Sequence, residues 1–435
     1  MNPYHLAYNL LGMGVGGALM PALWLGSRKN AITRDRFQQR LGYYPRSVHE
    51  GFQGRPRIWF HAVSVGEVGV AAAVVNALRQ IQPQCHIALS TTTVQGLARA
   101  KALFKNDATC FYAPLDLIGP TRRVIDMVRP DLLVLLETEI WPNLIVTARQ
   151  MGARIAILNG RISVRTIKGY RRIQPLMRHV LSHINAFSMI SAADALRIQS
   201  LGADSHRVVV NGNAKFDAPD PHAGSAQRAQ NRNWALDLYG LQADTPVFVA
   251  GSTRQPEERT ILDVFAQIRQ AYPQTVLIVA PRHIERVEQV EEWVRQKGLT
   301  SQRRSDLDGT HRRRHAPVII LDTIGELSAT YSVASFVFCG GSLIPKGGQN
   351  VLEPALWEKP VVYGRSMEDF ADARTLIEKA GGGFTVDNDI ELAALITDWL
   401  EHPRKARMAG RAARQAIYAH RGAAHKHAAV IARLL

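Results

Sequence analysis

Glu67 stands one residue after Gly66 and three after Ser64, just behind an apolar run that ends at Ala62. A glycine and then an acid at a strand-to-helix turn set a carboxylate at the start of a helix, facing any cleft above the strand. The helix dipole favours an acid there for local reasons alone. Burial in a closed cleft would also raise its pKa and make it a general base. Glu137 and Glu139 end a second apolar run, with Pro142 suited to the first turn of the next helix. Paired acids can bind a metal, accept substrate hydroxyls, transfer protons or cap the domain locally. No further ligand cluster lies nearby in sequence, so no metal is expected. Ser252 sits in Ala250-Gly-Ser-Thr-Arg254, a small-residue turn whose N–H groups can face a phosphate. Its spacing is neither a Walker loop nor a dinucleotide fingerprint. Arg282 in Ala280-Pro-Arg-His283 has the planar fork that grips phosphate or carboxylate; a surface ion pair is the plainer alternative. Gly325, Glu326 and Leu327 read as a helix start able to meet a base edge or a phosphate. The most specific segment is Gly340-Gly-Ser-Leu343 followed by Gly347-Gly-Gln-Asn-Val-Leu-Glu-Pro354. There Glu353 can accept two ribose hydroxyls, while Asn350 and nearby N–H groups meet a phosphate.

These residues follow apolar runs, and the runs alternate with helical stretches. The pattern predicts strands over 58–62, 86–89, 132–136, 155–158 and 186–190, with helices such as 68–81 and 192–201 between them. A Pro- and Gly-bearing stretch interrupts near 217–229, and alternation resumes with strands over 247–250, 275–280, 318–321, 336–339 and 361–363. Strand–helix alternation implies parallel sheets wrapped by helices, here two doubly wound α/β domains facing a cleft. The predicted organisation is a membrane anchor over 1–27, an α/β domain over 28–218, a linker over 219–245, a second α/β domain over 246–402 and a C-terminal helix over 403–435. With 435 residues, two cores of ordinary size fit better than one. Cys85, Cys110 and Cys339 show neither metal-ligand spacing nor a disulfide framework, and Cys85 and Cys339 read as small buried thiols.

Residues 4–26 contain no Asp, Glu, Lys or Arg, and Arg28, Lys29, Arg34, Arg36 and Arg40 follow at once. Length and charge placement predict a single-pass helix with the remaining chain on the cytoplasmic side; a helix lying in the interface and a buried helix are the alternatives. The net charge of +16, from 53 Lys+Arg against 37 Asp+Glu, calls for an anionic partner. No nucleic-acid motif or basic–aromatic stripe is found, so nucleic acid is excluded in favour of anionic lipid or an anionic substrate. The five arginines between 302 and 315 read as a solvated loop.

The Gly-Gly-Ser loop with Gly-Gly-Gln-Asn-x-x-Glu-Pro resembles nucleotide-sugar glycosyltransferases of the GT-B fold. The ordered set His61-Ala-Val-Ser-Val-Gly-Glu67, Leu136-Glu-Thr-Glu-Ile-Trp-Pro-Asn143, Asn159-Gly-Arg-Ile-Ser163, Gly212-Asn-Ala-Lys-Phe-Asp217, Gly251-Ser-Thr253, Ala280-Pro-Arg-His283 and Gly325-Glu-Leu327 resembles the 3-deoxy-D-manno-octulosonic acid (Kdo) transferases. The resemblance implies an inverting, metal-free and cofactor-free transfer from CMP-Kdo to a lipid A precursor (lipid IVA) at the inner membrane. It implies Glu67 as base, with Ser64, Gly66, Glu137 and Glu139 beside it. It puts Ser252, Lys215, Arg282, Gly325, Glu326, Leu327, Asn350 and Glu353 at the donor. The chain departs from the family pattern at Arg254-Gln-Pro256 and Ile324. The alternatives are a GT-B enzyme using a UDP-sugar, as transferase or 2-epimerase, and a membrane-tethered nucleotide-sugar binder.

Overall fold

Strands covered by helices on both faces read as continuous apolar runs, and such runs form the middle of two parallel sheets. In the computed structural model the described residues are 2–27, 31–52, 54–217, 224–308 and 314–435. Arg28, Lys29, Ala218, residues 219–223 of the expected linker and residues 309–313 of the arginine-bearing run lie outside them. Met1–Ala218 with His420–Leu435 form one unit, and Pro219–Ala419 form another.

The first unit holds β1 (Arg57–His61), β2 (His86–Thr91), β3 (Ala108–Tyr112), β4 (Leu132–Leu136), β5 (Arg154–Gly160), β6 (Ala186–Met189) and β7 (Val208–Val210), in the spatial order β3-β2-β1-β4-β5-β6-β7. Side chains alternate across the sheet. Trp59, Leu133, Leu135, Ile155 and Ile157 join one buried layer; Ile58, Phe60, Leu132, Val134, Leu136 and Leu158 join the other. The second unit holds β8 (Val247–Thr253), β9 (Val276–Pro281), β10 (Ser301–Arg303), β11 (Val318–Ile320), β12 (Phe336–Cys339), β13 (Val361–Tyr363) and β14 (Gly383–Thr385), ordered β10-β11-β9-β8-β12-β13-β14. All described pairings are parallel. Strand order reverses between β1 and β4 in the first sheet and between β8 and β12 in the second. In open parallel sheets ligands bind beyond the carboxyl ends of the strands at such points.

Three expectations need revision. Among the described residues no helix is long and apolar enough to cross a membrane, so the single-pass anchor is not supported. The helix Pro3–Ser27 begins by docking on the first unit. His5 Nε2 lies 2.9 Å from Asn143 Oδ1, and the Tyr8 hydroxyl donates to Asp116 at 2.8 Å. Second, much of the expected linker is the helix Ser225–Leu238, followed by buried Tyr239, whose hydroxyl lies 2.7 Å from Thr330 Oγ1. Third, the expected C-terminal helix is two helices, Pro403–Ala419 in the second unit and Ala423–Leu434 in the first.

The break between those helices falls at Gly422, whose φ of +104° suits a residue without Cβ. Asp217 fixes the restart, accepting from the N–H of Gly422 at 2.6 Å and of Ala424 at 2.7 Å. Ala424, Ala428 and Ile431 then pack in the layer that contains Val68 and Val75 of the helix Val65–Ile81. Burying a side chain such as Ile431 stabilises by about 2 kcal/mol.

Candidate active site

The sequence Ser64-Val-Gly-Glu67 has the S-x-x-E spacing of a capping box. Ser64 is the N-cap of the helix Val65–Ile81, and its Oγ accepts the Glu67 N–H at 3.4 Å. Its hydroxyl in turn donates to Glu67 Oε1 at 2.9 Å, and the Val63 N–H donates to Oε2 at 2.8 Å. These bonds hold the carboxylate over the end of β1, at the reversal point of the first sheet. Gly66 is exposed, and a Cβ there would meet Ser64 Oγ at 3.8 Å.

Glu67 itself is only 6% exposed. Burial, then the charge of Glu137 and more weakly that of Glu139, push its carboxyl up to about 7, against the lowering pull of its Val63 and Ser64 hydrogen bonds. The two other acids follow β4, the neighbour of β1. Glu137 adopts φ +53°, a conformation uncommon outside glycine and found at functional turns. Its Oε1 lies 2.6 Å from Lys215 Nζ. Glu139 Oε2 accepts from the Trp141 indole N–H at 2.7 Å, and burial holds the Glu139 carboxyl above its usual range. Trp141 packs edge-on against His61, ring centroids 4.5 Å apart. Burial pushes that imidazole down to about 3, so it is neutral.

Lys215, expected at the donor, is therefore a first-unit residue beside these acids. Its loop follows β7 and is held from two sides. Asn159, at the end of β5, accepts the Ala214 N–H at 2.8 Å. His427 of the C-terminal helix lies 3.2 Å from the Gly212 carbonyl and 2.8 Å from Ser188 Oγ. The first unit thus gathers three carboxylates and one ammonium.

The second unit gathers most of the other expected residues around β8, β9, β11 and β12. Ser252, the penultimate residue of β8, has φ +54°, where the register with β9 shifts. Gly340 follows β12, and a Cβ there would come within 2.5 Å of the Ser252 carbonyl oxygen. The two loops therefore touch main chain to main chain. Arg282 follows β9, is exposed, and donates its N–H to the Thr253 carbonyl at 2.9 Å. Asn350 Nδ2 donates to Glu353 Oε1 at 2.9 Å, and Asn350 Oδ1 accepts the Leu352 N–H, so these two expected donor residues are neighbours.

Gly325 has φ +96°, and Leu327 begins the short helix Leu327–Thr330. Glu326 is already engaged: Arg304 forks onto it, with Nη2 2.9 Å from Oε1 and Nε 2.8 Å from Oε2, and Thr323 donates at 2.6 Å. Its carboxylate holds the loop. Arg304 corrects the reading of the 302–315 run as a solvated loop, because this arginine is buried and paired.

Glu257 carried no sequence signal beyond its place at a helix start. It is 1% exposed and accepts from the N–H groups of Arg254, Gly341, Ser342 and Leu343. The amides of the Gly341-Ser-Leu343 loop are thus occupied.

A family model described as 3-Deoxy-D-manno-octulosonic-acid transferase (kdotransferase) matches residues 35–218. The chain is 34% identical over 341 residues to a bifunctional glycosyltransferase/methyltransferase of Fusobacterium nucleatum, covering 78% of this chain and 52% of that protein. It is 30% identical over 401 residues to a 3-deoxy-D-manno-octulosonic acid transferase of Haemophilus influenzae, covering 91% of each. A glycosyltransferase structure from Rickettsia africae shares the fold at a TM-score of 0.58 and 12% identity, covering 88% of this chain and 98% of that one.

Proposed function

We propose, from the premise that this chain belongs to the 3-deoxy-D-manno-octulosonic acid transferase family, that Glu67 is the general base of its transfer reaction. As a family member the protein is a glycosyltransferase that moves Kdo in lipopolysaccharide biosynthesis. The donor we assign is CMP-Kdo, bound by the second unit. The acceptor is a lipid A precursor such as lipid IVA, bound by the first. Glu67 takes the proton of an acceptor hydroxyl, and that oxygen forms the bond to the anomeric carbon. The bond from that carbon to the phosphate oxygen breaks with its electron pair, and CMP leaves from the opposite face. One displacement inverts the centre.

The observation that supports this most is the buried Glu67 carboxyl with a pKa of about 7 at the sheet reversal. A base is most effective when its pKa lies near the working pH. Lys215 can offset the negative charge that Glu137 brings to the site, 2.6 Å away. Asn350 and Glu353 supply hydrogen-bonding groups suited to the nucleotide, Gly325 and Leu327 line the adjoining loop, and the exposed Arg282 can stabilise charge on the departing phosphate.

We also propose that the protein works at the inner membrane with the helix Pro3–Ser27 lying along the anionic surface. Tyr4, Leu6, Leu10, Leu11 and Met13 are 41–70% exposed on that helix, while His5 and Tyr8 hold its opposite side to the first unit. A partly apolar helix followed by Arg34, Arg36 and Arg40 fits interfacial binding. Sedimentation with anionic vesicles tests this: L10D/L11D should release the protein, and unchanged binding would refute it. The donor is tested by thermal stabilisation, since only a ligand of the native state raises stability. CMP should stabilise the protein and UDP should not; the reverse result favours a UDP-sugar enzyme.

A further inference from the structure

Glu257 and Glu258 are adjacent buried acids with different partners. Glu258 pairs with Arg286 at 2.7 Å, the usual way to satisfy a buried carboxylate. Glu257 takes its donors from the main chain instead: Oε2 from Arg254 at 2.9 Å and Gly341 at 2.6 Å, Oε1 from Ser342 at 2.8 Å and Leu343 at 2.9 Å. The Arg254 bond is local, to the turn just before the helix Glu257–Ala271. The other three reach 84 to 86 residues along the chain, to the loop after β12. An ionised carboxylate is acceptor-only and can serve four N–H groups; a carboxamide must turn an NH2 donor toward some of them.

The loop so held also carries the nucleotide-facing residues. Gly341 keeps φ +67°, and its carbonyl accepts the Gly348 N–H at 2.9 Å, which ties the first Gly pair to the second. Two residues on stands Asn350, bonded to Glu353. On the other side Gly340 rests against the main chain of Ser252 and Thr253. One buried carboxylate therefore joins the turn after β8 to the loop after β12, across the strand reversal of the second sheet.

We infer that Glu257 is a positioning residue for the donor: it fixes the loop from Gly340 to Glu353 in its nucleotide-binding shape before any ligand arrives. The inference rests on the donor assignment made above and adds to it a residue that touches no substrate. Its consequence is that the amides of Gly341, Ser342 and Leu343 are saturated by protein in the free enzyme and are not the phosphate's donors.

The first test is E257Q under steady-state kinetics. The KM for CMP-Kdo should rise about 10- to 100-fold as charge-assisted bonds are lost, with the acceptor KM within about twofold. A folded E257Q with an unchanged CMP-Kdo KM overturns the inference, as does an equal rise in both KM values, which marks a merely structural role. E257D, which keeps the charge on a shorter arm, should fall between E257Q and the unsubstituted enzyme. The second test needs no variant. Residue-resolved hydrogen–deuterium exchange should find the amides of Gly341, Ser342 and Leu343 protected in the free enzyme and unchanged on adding CMP. Rapid exchange that slows only with CMP overturns the inference. Unsubstituted enzyme that binds neither CMP nor CMP-Kdo by calorimetry refutes the donor assignment and the inference with it; unsubstituted binding matched by E257Q refutes the inference alone.

Discussion

Replacing Glu67 by Gln should stabilise the protein above neutral pH while abolishing transfer. A carboxyl held at about 7 rather than 4.5 corresponds to about 3 kcal/mol of unfavourable burial of its charged form. The sign follows from linkage. With the folded pKa raised, the folded state binds the proton more tightly than the unfolded chain does. Its stabilising effect is full below about 4.5 and is lost as pH rises through about 7. Gln carries no charge at any of these pH values but weakens the bonds from Val63 and Ser64, which costs about 1 kcal/mol each. The net expectation at pH 8.5 is a gain of about 1–2 kcal/mol, turning to a loss of about 1–2 kcal/mol at pH 4.5. Urea unfolding of both proteins at the two pH values measures it. In the same variant, transfer should fall about 10²- to 10⁴-fold, the range for a lost general base. A stability difference independent of pH would refute the assignment of a strained, buried carboxyl. Near-normal turnover by folded E67Q would refute its catalytic role.

Other perturbations have defined outcomes. E137Q removes the charge that most raises the Glu67 pKa, so the acid limb of the kcat–pH profile should move to lower pH; an unmoved limb would separate Glu137 from Glu67. R304M breaks a buried fork onto Glu326 and should cost about 3 kcal/mol in chemical denaturation, whereas a loss under 1 kcal/mol would mean the pair is exposed to water. D217A removes the acceptor for two N–H groups at the start of the helix Ala423–Leu434 and should cost about 1–2 kcal/mol. Because Asp217 is two residues from Lys215, transfer should fall as well, and a stability loss with full activity would detach that helix from the site. G251A would bring a Cβ within 2.1 Å of the Tyr331 hydroxyl; thermal unfolding should drop by several degrees, and an unchanged Tm would contradict that packing.

The fold was legible where strands are buried on both faces. Runs such as Leu132–Leu136 and Phe336–Cys339 are apolar at each position, and every central strand was foreseen from such a run. The strands not foreseen are β3, β7, β10 and β14, and these are the four edges of the two sheets. Edge strands need cover on fewer sides. β10 is Ser-Gln-Arg, β14 is Gly-Phe-Thr and β3 opens with Ala-Thr, so these three present no continuous apolar run. The N-terminal helix misled for the opposite reason: its uncharged length looked like a span, but His5, Tyr8 and Asn9 are polar handles that meet Asn143, Asp116 and the helix itself.

The site was legible in its outline. Of the candidate residues, Glu67, Glu137 and Glu139 follow β1 and β4, and Ser252 and Gly340 lie at the ends of β8 and β12, at the two sheet reversals. What could not be read were the partners that come from far along the chain. Nothing in the sequence ties Glu257 to Gly341, Arg304 to Glu326 or His427 to Gly212. Each is an ordinary residue type whose role arises only when tertiary packing buries it against a main-chain loop or a carboxylate.

Kdo transfer from CMP-Kdo with Glu67 as base leaves a product of defined mass. Mass spectrometry of a tetra-acylated lipid A precursor incubated with enzyme and CMP-Kdo tests it directly. The unsubstituted protein should add Kdo, and folded E67A that still binds CMP should add none in the same time. No mass gain with the unsubstituted enzyme, or a comparable gain with E67A, would contradict the account.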